Sequence, residues 1–191
     1  DEVQAQLAQF SDALEGNREL AVFFFSPSFS SQEKLDGLHK AVEGAMLAKF
    51  RNIGQACTAA NRFIVHESIA AEFADRVTAR VSAMPVGRGT EPGIEIGPLI
   101  DEKAVAKASE LVADAVSRGA TVRTGGAAPE GEGTFFAPTV LVDVPGGADI
   151  LREEIFGPVL AIAAFADEDE AVRLANDTEY GLVSYVFTQN L

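Results

Sequence analysis

Phe50-Arg51-Asn52-Ile53-Gly54-Gln55-Ala56-Cys57-Thr58-Ala59-Ala60-Asn61-Arg62 is the stretch on which the reading of this chain turns. It follows a helical pattern and breaks it. Small residues, Gly54 and Cys57 interrupt the apolar stripe, and the stretch leads into 62–66, whose β-branched and aromatic residues predict a strand. Cys57 is the only cysteine. A nucleophilic cysteine reacts as its thiolate, so it needs nearby positive charge or backbone donors. Arg51 and Arg62 supply the charge in sequence, and Gly54 lets backbone come close to a bound molecule. The same residues also suit an inert buried cysteine.

The pattern extends outward in both directions. Upstream, Val3, Leu7, Phe10 and Leu14 form one helical stripe, and Leu35, Leu38, Val42, Ala45 and Leu47 form another, so 1–49 reads as helical. Ser30 or Ser31 is the expected cap of the second helix. Downstream, 69–84 is predicted as an amphipathic helix with Phe73, Val77 and Val81 inward, and 85–98 as a loop. Asp101 caps a long helix to Arg118 that Gly119 closes. Strands are expected at 121–123, at 134–144 with Pro138 inside an edge strand, at 159–165 and at 182–188; 168–176 is a helix. Strands alternating with helices predict an α/β fold whose sheet has parallel character.

Composition narrows the function. The net charge of −14 argues against nucleic acid or an anionic membrane as partner. No apolar run has the roughly 18 residues of a membrane span. One cysteine and two histidines do not make a zinc site or a disulfide framework, so no metal is expected. The chain opens on polar residues rather than a secretory signal, and a lone thiol suits a reducing, cytoplasmic setting.

Phe-Arg-Asn-x-Gly-Gln-x-Cys, followed by Asn61-Arg62, resembles the nucleophile motif of the aldehyde dehydrogenase superfamily. Further likenesses follow in order: Ile96-Gly97-Pro98-Leu99-Ile100-Asp101, then Gly125-Gly126 with Phe136-Ala137-Pro138-Thr139-Val140-Leu141. Glu153-Glu154-Ile155-Phe156-Gly157-Pro158-Val159 and Asn176-Asp177-Thr178-Glu179-Tyr180-Gly181-Leu182 complete the series. Within the superfamily, the spelling of 101–107 and 175–179 is most similar to the bacterial succinate-semialdehyde dehydrogenases. The resemblance covers 41–191 and implies a partial aldehyde dehydrogenase catalytic domain over 44–191, behind an N-terminal helical segment. It implies that Cys57 attacks an aldehyde, that hydride passes to NAD or NADP, and that water hydrolyses the resulting thioester. It also implies a Cys57 backbone amide in the oxyanion hole, Glu154 on the nicotinamide ribose, Phe156 beside the nicotinamide, and Arg51 on the substrate carboxylate.

Other parts of that family's machinery do not match. Gly87-Arg88-Gly89 follows a helix and is not a dinucleotide fingerprint. Leu14-Glu15-Gly16-Asn17 superficially resembles the family's base motif, but Glu15 stands too far ahead of Cys57 and is assigned no catalytic role. The family's dinucleotide domain, oxyanion-hole asparagine and second substrate arginine are expected upstream of what this chain holds, and its C-terminal substrate and oligomerisation segments beyond Leu191. The chain alone is therefore expected to be inactive and, with apolar surface uncovered, to self-associate.

Residues 1–43 resemble something else. Leu14-Glu15-Gly16-Asn17-Arg18-Glu19-Leu20 and 23–34 are similar to the N-terminal helical domain of the ATP synthase delta subunit, which implies a stator segment and contact with the synthase. On that basis a non-enzymatic interaction protein is the rival reading, and thiol chemistry such as ester cleavage at Cys57 is a third.

Overall fold

The computed structural model describes residues 31–188, with side chains from Asp36 onward. The expected stripe at 3–14 and most of the delta-like segment lie outside the described residues. The described residues belong to two units, the larger being Val42–Ser184.

Helix α1 spans Ser31–Phe50. Its inward stripe differs from the expected one in two places. Leu38, Val42 and Ala45 are buried, but Leu47 is largely exposed and Lys49 is almost wholly buried. Met46 and Lys49 continue the 42–45 face at spacings of one and three, while Leu47 points away from it.

Strand β1 (Phe63–His66) leads directly into α2 (Glu67–Ser82), two residues earlier than predicted. His66 explains the early start: its Nδ1 accepts the Ser68 N–H at 3.2 Å and caps the helix. Phe73, Ala74, Val77 and Val81 form the buried stripe, which packs across the sheet. Helix α3 (Glu102–Ser117) is capped by Asp101, whose Oδ1 accepts the Ala104 N–H at 2.9 Å. Ala108, Leu111, Val112 and Ala115 point inward. The Asp114 carboxylate holds α3 to the short helical turn Asp149–Leu151, accepting the Asp149 N–H at 2.9 Å. That bond, reinforced by Arg118, holds its pKa below the ordinary carboxylate value. Helix α4 (Glu168–Asn176) is capped by Asp167 and packs on β1 and β4.

Strands β2 (Thr121–Thr124), β3 (Thr139–Val142) and β4 (Val159–Phe165) complete a four-stranded sheet of order β1-β4-β3-β2. The β1–β4 and β4–β3 pairs are parallel and β3–β2 is antiparallel. Residues 159–163 of β4 are all buried, as a strand covered on both faces should be. β2 is mostly exposed and forms an edge.

Two strand expectations need correction. The strand expected over 134–144 is only Thr139–Val142, and it is internal rather than an edge. Pro138 precedes it, because proline has no N–H for the ladder. Before it, Thr134 pairs with the loop at Leu99: Leu99 N–H donates to the Thr134 carbonyl at 2.8 Å, and the Thr134 hydroxyl to the Leu99 carbonyl at 2.6 Å. The strand expected at 182–188 does not form, and Leu182 and Val183 lie exposed. β-rich composition makes a strand only where the backbone groups find ladder partners, and none of the described pairings includes these residues. No described helix is long and apolar enough to cross a membrane.

Candidate active site

The cysteine loop begins where α1 ends. Asn52 and Ile53 adopt left-handed backbone, with φ of 56° and 52°, and Gly54 continues at 79°. Glycine adopts this conformation freely and asparagine tolerates it, but β-branched isoleucine is strained there. The surroundings impose it. A Cβ on Gly54 would come within 2.2 Å of the Gly157 carbonyl oxygen, so backbone meets backbone at this point. The Asn52 amide donates to the Gln55 carbonyl at 2.6 Å, and the Gln55 N–H returns to the Asn52 carbonyl at 2.9 Å. The Gln55 side chain then accepts the Ile100 N–H at 2.8 Å, fixing the loop to the segment before α3.

Cys57 is an exposed free thiol on this loop. The Ala60 N–H donates to the Ala48 carbonyl at 3.0 Å, folding the loop back onto the last turn of α1. Arg51, six positions before the cysteine, is exposed, and its Nη2 donates to Thr58 Oγ1 at 2.8 Å. The loop therefore brings the arginine side chain to the residue that follows the thiol.

Asn61 and Arg62 tie the loop's exit to two distant segments. Asn61 Nδ2 donates to the carbonyls of Ile150 at 3.2 Å and Glu153 at 2.8 Å, while its Oδ1 accepts the Ile155 N–H at 2.9 Å. The Arg62 guanidinium donates to the carbonyls of Leu174 at 2.9 Å, Ala175 at 3.1 Å and Asp177 at 3.2 Å. These carbonyls lie at the end of α4, where the helix runs out of N–H partners, and the Leu174 carbonyl also accepts the Asp177 N–H at 3.3 Å, so Arg62 acts as a C-terminal cap.

Glu154 and Phe156 project from the segment that Asn61 holds. Both are exposed, whereas Ile155 between them is buried and anchors the segment. Phe156 has a φ of 49°, another left-handed residue, immediately before the Gly157 that meets Gly54. Cys57 and Arg51 on one side, and Glu154 and Phe156 on the other, thus belong to two segments joined by the Gly54–Gly157 contact and by Asn61.

Lys49 is the residue the sequence reading missed. Its side chain lies next to Gly54, with Cε 3.4 Å from where a Cβ would stand. Burial pushes its pKa down to about 7, and the opposing Glu154 carboxylate raises it only in part. The available signal was its position on the 42–45–46 face of α1.

The aldehyde dehydrogenase family pattern matches residues 32–191. The chain belongs to the aldehyde dehydrogenase family. It is 52% identical over 153 residues to a succinate-semialdehyde dehydrogenase of Paenarthrobacter nicotinovorans, a match covering 80% of this chain and 34% of that protein. It is 49% identical over 154 residues to an NADP(+) succinate-semialdehyde dehydrogenase of Escherichia coli, covering 81% and 32%. The fold matches the crystal structure of succinate-semialdehyde dehydrogenase from Burkholderia pseudomallei with a TM-score of 0.79 and 49% identity, over 81% of this chain and 32% of that one. The chain spans about a third of the length of the curated relatives it matches. As an aldehyde dehydrogenase segment, it places the family's cysteine motif and its Glu-Ile-Phe-Gly-Pro motif side by side.

Proposed function

We propose that this chain carries the nucleophile portion of an NAD- or NADP-dependent dehydrogenase for a short semialdehyde, with succinate semialdehyde as first choice. The observation that supports it most is the exposed Cys57 thiol on a loop that holds Arg51 against the neighbouring Thr58. A substrate with an aldehyde at one end and a carboxylate at the other meets a nucleophile and a cation in one place. The names of the relatives, succinate- and glutarate-semialdehyde dehydrogenases among them, agree with that chemistry.

In this reading the Cys57 thiolate attacks the aldehyde carbon, forming a carbon–sulfur bond and a thiohemiacetal alkoxide. The Cys57 backbone N–H donates to that oxygen; one such donor is worth about 3 kcal/mol in other enzymes. Loss of hydride from the former aldehyde carbon leaves a thioester on Cys57, and water cleaves it to the acid and the free thiol. NAD or NADP, when bound, supplies the hydride acceptor. The residues present fit the nicotinamide end: Glu154 offers a carboxylate to two ribose hydroxyls, and Phe156 a half-exposed aromatic face. Arg51 holds the far carboxylate of the substrate. A reducing compartment such as the cytoplasm suits an exposed free thiol.

Nitrophenyl ester cleavage tests the nucleophile. The chain is expected to release nitrophenolate and to carry an acyl group on Cys57 by mass spectrometry, and Cys57→Ala to do neither. Equal release from both proteins contradicts the assignment. With succinate semialdehyde and NAD or NADP, the chain alone is expected to give no turnover, and robust turnover would overturn that part.

A further inference from the structure

The Arg51–Thr58 hydrogen bond spans the thiol, from six positions before Cys57 to one position after it. Arg51 is exposed, and an unrestrained arginine side chain there would lose rotamer entropy on binding a carboxylate. The hydroxyl reduces that loss by holding the guanidinium before substrate arrives. Among the described residues Thr58 takes one of the five arginine N–H donors, and the others remain for a carboxylate in the two-pronged geometry that guanidinium favours. Thr58 suits the task because its branched Cβ restricts χ1 and so fixes where the hydroxyl points. It is also joined to Cys57 by a single peptide, with Cα atoms about 3.8 Å apart. The distance from nucleophile to bound carboxylate is then set by the loop and not by a swinging side chain. That favours aldehydes whose carboxylate lies only a few carbons away.

We propose that Thr58 is a positioning residue for substrate selection, its hydroxyl holding the Arg51 guanidinium beside Cys57 so that short aldehydes with a terminal carboxylate are preferred over neutral ones. The proposal rests on the assignment of Cys57 and Arg51 given above.

Alkylation of the intact chain tests it without cofactor. Iodoacetate and iodoacetamide react with the Cys57 thiolate in the same way, sulfur displacing iodide, but only the first carries a carboxylate. The quantity to measure is the ratio of their second-order rate constants at fixed ionic strength. Arg51→Gln should lower the ratio. Thr58→Val and Thr58→Ala should each lower it roughly two- to fivefold, the range of a solvent-exposed ion pair, and Thr58→Ser should restore it. Damage to the loop in general changes both rates together and leaves the ratio alone. If Arg51→Gln lowers the ratio and the Val and Ala variants do not, the role of Thr58 is refuted while that of Arg51 stands. If Arg51→Gln leaves it unchanged, the carboxylate assignment fails and the role of Thr58 fails with it.

Discussion

The side-chain oxygen of Asn61 accepts the backbone N–H of Ile155 at 2.9 Å, across 94 positions of sequence. The same amide donates to the carbonyls of Ile150 and Glu153, both ahead of Ile155. One side chain four residues after Cys57 therefore shapes the backbone that presents Glu154 and Phe156. Asn61→Asp keeps the acceptor but sets a carboxylate against two carbonyl oxygens. A loss of about 1–3 kcal/mol is expected at neutral pH. The introduced acid should titrate above its usual range, since only its neutral form can donate. Urea unfolding should show the gap from the parent narrowing as pH falls; a gap independent of pH contradicts the hydrogen-bond pattern.

Gly54 should tolerate no side chain. Its φ of +79° alone strains an L residue, and the Gly157 oxygen occupies the place of a Cβ. Backbone cannot step aside as the end of a flexible side chain can. Gly54→Ala is expected to cost at least about 2 kcal/mol, to lower the thermal midpoint and to change the alkylation rate of Cys57. A variant with the parent's melting curve would show that the two backbones do not meet.

These two contacts also mark where sequence reading stops. The cap at Asp101 and the α2 stripe were legible because each depends on residues within a few positions. The cysteine loop was legible as spelling, but its left-handed turn was not. Local preference argues against Ile53 in that conformation, which occurs in a loop held by the Asn52–Gln55 and Gln55–Ile100 hydrogen bonds and by the approach of Gly157 to Gly54. The run at 182–188 has strand composition, yet a strand needs a ladder partner, and none of the described pairings includes it. Lys49 was passed over because a lysine on an apolar stripe reads as a break in the pattern. Its four-carbon stem, however, packs as the apolar residues beside it do.

Lys49 makes stability depend on pH in a definite direction. Its folded pKa is about 7 against an ordinary 10.5. Between those values the unfolded chain binds more proton than the folded one, so stability rises with pH through that window. Below the folded value both states are charged and the full cost of burial remains. Lys49→Met removes the charge and should abolish the rise attributable to this group. Denaturant titrations at neutral pH and near pH 9 should show the parent gaining on the variant by an amount on the order of a few kcal/mol. Parallel curves for the two proteins would mean that the ammonium is solvated in the folded state.

Association should follow from the apolar side chains exposed over 172–183 in the larger unit. Val172, Tyr180, Leu182 and Val183 are all exposed there. Exposed apolar side chains favour contact with another surface. The net charge of −14 opposes contact between identical copies, and that repulsion is screened by salt, with a Debye length of about 10 Å at 0.1 M. Light scattering should therefore report a mass that grows with both protein concentration and ionic strength. Leu182→Ser combined with Tyr180→Ser should reduce the growth. Association that weakened with salt would point to ion pairs instead, and a monomer under all conditions would show that these exposed side chains do not drive association.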